Sequence, residues 1–229
     1  MNSLESMETK VEEVNFWYKA KFSPPILKLA ESEHLHAFLG NLINYFGLSV
    51  RDIMINQIDL SSRYISFRRL LPGSGIYDVF IGLDEVSIYF FNPAQEGLIW
   101  DYSTWVLESL SKQVELTFES QRLNIELHLS VKKGDSAKFF NIISPFTLQD
   151  MANEAKGKGI IIHFDGPKKG SVSTFIISSS TQVPDGIYLS LQSIFGKEIT
   201  SFKDLYADTK SFLLDRICKE FNLTIGYQK

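Results

Sequence analysis

The chain has 229 residues, 44% of them hydrophobic, enough to bury a sizeable core as one large domain or as two small packed halves. Its 23 basic and 27 acidic residues leave a net charge of −4, which argues against a general nucleic-acid binder because phosphate neutralisation needs a basic surface. A single cysteine, Cys218, excludes an intramolecular disulfide and a cysteine-based zinc cluster, and no apolar run approaches the roughly 18 residues of a spanning helix; a soluble, cytoplasmic protein outside the membrane is expected.

Residues 1–13 are acidic and polar, lack the features of a secretory signal, and read as a flexible tail. From Val14 to Phe22 apolar residues alternate with Asn15, Trp17, Lys19 and Lys21, the period of a half-buried strand that Pro24-Pro25 ends. Ser32 can cap a helix whose apolar positions Leu35, Phe38, Leu39, Leu42, Ile43 and Phe46 fall three and four apart, with Gly47 as its stop. Four strands follow (Ile53–Leu60, Tyr64–Leu70, Ile76–Leu83 and Val86–Asn92), joined by connections short enough to make antiparallel neighbours. Asp101 is a plausible cap for a helix through Gln113.

The second half opens with Val114–Val131, read as a hairpin turning at the polar stretch Glu119–Asn124. Asp135 caps a helix through Ile143, and Thr147 another through Lys156. Strands are expected at Ile160–Phe164, Val172–Ser179 and Ile187–Gln192, and a long amphipathic helix from Thr200 or Ser201 toward Phe221. The fold expected is α+β: antiparallel sheet packed by helices, a first half at 14–113 and a second at 114–229 packed on it, each strand, helix, strands, helix, as in a structural duplication.

The chemistry-bearing residues are few. His34 and His36, two apart on a helix, point to different faces and cannot share a metal; neither a metal nor a cofactor is expected. His128-Leu-Ser130 places two polar groups on one strand face, as in phosphoesterases that carry two such motifs, but the nearest second copy, His163-Phe-Asp165, has a carboxylate where the hydroxyl belongs. A paired His128 and His163 would give a hydrolase; otherwise His128 faces solvent. Cys218 sits inside an amphipathic helix as a buried, inert thiol. Lys132, Lys133, Lys156, Lys158, Lys168 and Lys169 fall in loops and would form a basic rim if the fold gathers them. Trp105, Phe175, Phe202 and Tyr206, with His128 and His163, are the candidate lining of an apolar ligand cavity between sheet and helix.

No acid, base and nucleophile converge in the sequence, so the leading expectation is a non-enzymatic protein-interaction protein, an adaptor or a neutralising, immunity-type partner. Its acidic first half (9 basic against 14 acidic residues to Lys112) or an exposed sheet face would meet another protein, and a homodimer is compatible with this. An apolar-ligand binder is the alternative, and a phosphoesterase-type hydrolase the least favoured.

Overall fold

The computed structural model describes residues 4–57, 63–145, 157–197 and 201–226; the helix expected from Thr147 to Lys156 and the end of the strand expected to reach Leu60 lie outside them. Among the described residues the fold is α+β, with one ten-stranded, mainly antiparallel sheet packed by helices. In chain order the elements are β1 (Met7–Phe22), α1 (Ser32–Phe46), β2 (Ile53–Gln57), β3 (Arg63–Leu70), β4 (Ile76–Ile81), β5 (Glu85–Phe91), α2 (Gly97–Ser111), β6 (Phe118–Lys133), α3 (Ser136–Ile143), β7 (Gly159–Asp165), β8 (Val172–Ser179), β9 (Ile187–Phe195), α4 (Phe202–Ser211) and β10 (Leu223–Gly226). Strands neighbour one another in the order β2-β3-β4-β5-β1-β6-β9-β8-β7, and β10 pairs with β1 in parallel. The chain divides into two compact units, one of Asn15–Leu123 with Ile194–Tyr206, the other of Met1–Val14, Asn124–Ser193 and Ala207–Lys229.

In the unit built on Asn15–Leu123, the helices cover one side of the strands. Helix α1 buries Leu35, Phe38, Leu42 and Phe46, the stripe that three-and-four spacing selects, and ends where Gly47, at φ 60°, takes the left-handed conformation and donates its N–H to the Ile43 carbonyl. Its start differs from the sequence reading: Glu31 is the cap residue and Ser32 the first helical one. Helix α2 begins at Gly97, so Asp101 lies within it rather than at its cap; Ile99, Val106 and Leu110 supply its buried side. Phe46 of α1 packs against Phe67 of β3 at 5.3 Å and Tyr77 of β4 at 5.6 Å, and Tyr102 of α2 meets Tyr77 at 5.3 Å. The inward positions Ile65, Phe67, Tyr77, Val79, Ile81, Val86, Ile88 and Phe90 are correspondingly buried.

Two strands are longer than their apolar patterns indicate. Strand β1 begins at Met7, so residues 7–13, read as tail, are in the sheet and pair with β10 from Met7↔Leu223 to Lys10↔Gly226. Strand β6 runs unbroken through Glu119–Asn124 and is not a hairpin. Its polar residues are accommodated by partners: Gln121, 1% exposed, accepts a 2.7 Å hydrogen bond from the hydroxyl of Tyr18, which is fully buried. Replacing one partner strands the other, whereas removing both does not. Gln121→Leu is therefore expected to cost about 1–3 kcal/mol in urea denaturation, and Tyr18→Phe placed on that background to recover part of the loss.

The other unit gathers the remainder of β6 with β9, β8, β7 and β10. Its core is built from the inward positions of these strands: Ile125, Leu127 and Leu129 of β6, Phe175 and Ile177 of β8, and Leu189 and Leu191 of β9 are all buried. Asp135 caps α3 by accepting from the Lys138 amide at 3.0 Å, as the sequence indicates. Residues 212–217 continue from α4 as π-helical turns before Cys218–Glu220 return to α geometry. The strand β10 that follows has no counterpart in the sequence reading. The duplication is not confirmed: α1 and α2 have 15 residues each, whereas α3 of the other unit has 8.

Candidate functional site

The outer side of the strands β2–β5 and β1, within the Asn15–Leu123 unit, carries an unusual residue set. Cross-strand register sorts its outward positions into three rows: Leu70–Ile76–Phe91–Asn15, Arg68–Asp78–Tyr89–Trp17, and Met54–Ser66–Phe80–Ser87–Lys19. On a face turned to water these positions are ordinarily polar. Here Leu70 is 74% exposed, Met54 60%, Phe91 41% and Phe80 36%, with Ile76, Tyr89 and Trp17 half-buried among them. Tyr89 stands edge-on to Phe80 at 6.0 Å and stacks on Phe91 at 6.4 Å, so the rings form one cluster.

The charges on this face are paired. Arg68 grips Asp78 through two hydrogen bonds, Nε to Oδ1 and Nη2 to Oδ2, both 2.7 Å; this raises the Arg68 guanidinium further above its already high value. Asp78 is 5% exposed, while the Arg68 side chain is 67% exposed and covers it. Lys19 and Glu85 make a second pair at 2.7 Å. Four strand spacings of about 4.8 Å and two two-residue steps of about 6.8 Å give the face a footprint on the order of 300 Å² before side-chain width is added.

The histidine pair does not form. His128 is buried, 5% exposed, and so corrects the expectation that it faces solvent; its Nδ1 lies 2.9 Å from Ser180 Oγ and its ring 4.9 Å from that of Tyr188. Ser180 Oγ accepts from the amides of Gln182 at 3.1 Å and Val183 at 3.0 Å and lies within hydrogen-bond reach of His128 Nδ1. The amides that could stabilise an oxyanion are thus spent on the serine oxygen itself, fixing the Ser180–Gly186 turn. His163 is exposed and within 3.1 Å of Thr174 Oγ1. Strands β9 and β8 separate its strand from that of His128, three spacings or about 14 Å, too far for one catalytic site.

The other candidates are placed as follows. Trp105 stacks on Tyr45 at 4.1 Å, whereas Phe202 and Tyr206 meet edge-on to Phe16 at 5.8 and 5.4 Å. Phe175 belongs to the other unit, against Phe221 at 5.6 Å. Trp105 is linked to Phe202 and Tyr206 through the rings of Phe46, Tyr77, Phe90 and Phe16, so these three belong to one packed core and Phe175 to another. Of the rim lysines, Lys132 lies 3.8 Å from Glu12, Lys133 3.6 Å from Glu8 and Lys168 2.7 Å from Asp208, while Lys158 donates to Asn141 at 2.7 Å. Lys169 is exposed and Lys156 lies outside the described residues. Each partnered lysine has its own acceptor instead of converging on one centre. Burial, with the Asp215 carboxylate adding to it, pushes the Cys218 thiol up to about 12, as suits an inert core thiol. Among the described residues no three His, Cys, Asp or Glu side chains are grouped to hold a metal, and no helix is long and apolar enough to cross a membrane.

Sequence reasoning missed Phe80, Tyr89 and Phe91 as a group, although a signal for them exists: aromatics fill the positions of β4 and β5 that alternation reserves for polar residues. No protein-family model matches the chain, and no curated protein matches it. The crystal structure of CrmK, a flavoenzyme involved in the shunt product recycling mechanism in caerulomycin biosynthesis, aligns at 6% identity over 91% of this chain and 42% of that chain, with a TM-score of 0.22. This chain therefore spans less than half the length of that structure, and a likeness so slight carries no argument about fold or function.

Proposed function

We propose that this protein is a non-enzymatic interaction protein, an adaptor or a neutralising, immunity-type partner, that meets another protein with the outer face of β2–β5 and β1. The carrying observation is the exposed cluster of Phe80, Tyr89 and Phe91 around the Arg68–Asp78 pair. Aromatic residues, methionine and arginine are what protein interfaces enrich, and Trp, Tyr and Arg supply most of their strongest contacts. Because Asp78 is already neutralised by Arg68, docking there buries no unpaired carboxylate. The two bonds to Asp78 use two of the five guanidinium N–H groups, leaving donors for a carbonyl or carboxylate of the partner. A cytoplasmic setting, where a lone thiol stays reduced, fits this reading.

The test compares the tagged protein with a Phe80→Asp, Phe91→Asp double variant, which changes only solvent-facing positions, in capture from the cells that make it. A protein retained by the parent and lost from the variant, with both equally folded by circular dichroism, is the expected result. Identical captured sets would overturn the assignment of this face.

A further inference from the structure

Strand β7 ends the strand order, so one of its edges has no neighbour among the described residues. The orientation of its backbone follows from the bonds at its two ends. The Gly166 amide donates to the Ser171 carbonyl at 2.8 Å and the Ser179 amide to the Lys158 carbonyl at 2.9 Å, and the register Gly159↔Ser178 through Asp165↔Val172 connects them. In an antiparallel ladder hydrogen-bonded pairs alternate, so the even residues 158–166 turn their amides and carbonyls toward β8. Gly159, Ile161, His163 and Asp165 therefore present theirs to the open edge. Proteins usually blunt such an edge with lysine, proline or a bulge. This one carries Ile160-Ile-Ile-His-Phe164, with no charge and no proline, and Ile161 is 63% exposed.

We propose that this edge pairs with the same edge of a second copy, antiparallel about a two-fold axis at Ile162, making the protein a homodimer by strand addition. The charges flanking the strand select that direction. Lys158 precedes it and Asp165 closes it, so an antiparallel copy brings the acidic end of one strand to the basic end of the other, whereas a parallel one would set like charges side by side. Centring on Ile162 places Ile160 opposite Phe164 of the second copy and Ile162 opposite its own equivalent, β-branched and aromatic pairs of the kind that stabilise sheets. Ile161 and His163 then exchange the backbone bonds. A register centred on Ile161 would keep isoleucines opposed, Ile160 against Ile162, but would set Phe164 against Lys158, so the aromatic ring loses its apolar partner. This proposal concerns Gly159–Asp165 alone and does not depend on the aromatic face.

Sedimentation velocity of the full chain over a wide concentration range is expected to show a dimer that dissociates on dilution. Ile161→Lys, which charges the open edge, and His163→Pro, which removes an edge amide that β8 does not use, should each weaken association roughly tenfold or more with unchanged circular dichroism. Under mild oxidation Ile162→Cys should form a disulfide dimer, because directly opposed residues outside the hydrogen-bonded pairs lie about 4.5 Å apart at Cα, within bridging distance. Cys218 is buried and leaves the background clean. Ile160→Cys, opposite Phe164, should not cross-link. A monomer at every concentration, a dimer indifferent to both edge variants, or cross-linking at 160 in place of 162 would each overturn the proposal.

Discussion

Unfolding free energy is expected to fall steeply above about pH 9, by about 6 kcal/mol at pH 11 relative to neutral solution. Three groups buried in the folded chain cause this. Burial raises the Tyr18 phenol, and burial with Tyr102 and Tyr45 nearby raises that of Tyr77 well above the ordinary range; burial and Asp215 push the Cys218 thiol to about 12. All three are at most 1% exposed. In the unfolded chain the thiol loses its proton near pH 8.5 and the phenols near 10, while the folded chain retains all three protons, so above those values the unfolded state binds fewer protons and stability declines with pH. Each phenol contributes about 1.4 kcal/mol per pH unit above about pH 10, and the thiol a similar slope between about 9 and 12. Below the unfolded-state values the contribution is present in full. Urea titrations at a series of pH values would measure it, and Tyr18→Phe should reduce the slope above pH 10 by one proton's worth. A stability unchanged between pH 9 and 11 would mean that water reaches these groups in the native state.

Those same buried rings show how far the sequence could be read. Helix α1 was legible because its spacing and its glycine stop agree, and strands β3, β4, β5, β8 and β9 because alternation is clean and the connections are short. Strand β1 was legible only from Val14, for a reason visible in its burial: odd-numbered Met7, Thr9 and Val11 are buried at its start, but even-numbered Phe16, Tyr18, Ala20 and Phe22 from its middle on. A strand whose inward side changes phase breaks the period-two pattern, and Lys10, Glu12 and Glu13 complete the appearance of a tail. Strand β6 misled in the opposite way. Gln121 and Asn124 look like turn residues, yet each is buried in the strand against a hydroxyl, Tyr18 for the first and Ser190 at 3.0 Å for the second. Hydrogen bonds to residues distant in sequence override local polarity, and no local pattern announces them.

The candidate face was harder still. Composition shows that aromatics are abundant but not which of them pack inward: Trp105 on α2 and Phe202 and Tyr206 on α4, chosen as cavity lining, are packing residues, whereas strand register turns Phe80 and Phe91 outward. Arg68 and Arg69 could be assigned to opposite sides of β3 from spacing alone. Their neighbours across the sheet could not, and it is Asp78 beside Arg68 that turns an exposed arginine into the fixed centre of a patch. His128 illustrates the same limit: alternation with Leu127 and Leu129 put it on the outward side correctly, but the Ser180 turn and Tyr188 lie over that side and bury it.

Phe16→Ala is expected to cost about 3–5 kcal/mol, a large share of the roughly 5–15 kcal/mol that typically holds a folded domain. Phe16 is 1% exposed and touches three other rings: Phe90 of β5 at 6.0 Å, Phe202 at 5.8 Å with planes at 87°, and Tyr206 at 5.4 Å with planes at 68°. Truncation loses the transfer free energy of the ring and leaves a cavity that cannot close readily, because Tyr206 is anchored by donating to Glu96 at 2.8 Å and Phe202 is held edge-on to Tyr18 at 5.1 Å. The loss should appear as a lower urea midpoint with an unchanged m-value. Pairing Phe16→Ala with Tyr206→Leu measures the ring–ring part, for which a coupling of about 0.5–1.5 kcal/mol is expected beyond area burial. A cost below about 1 kcal/mol for Phe16→Ala would show that the Phe202–Tyr206 segment is not docked on β1 in solution, and the core of the Asn15–Leu123 unit would have to close without it.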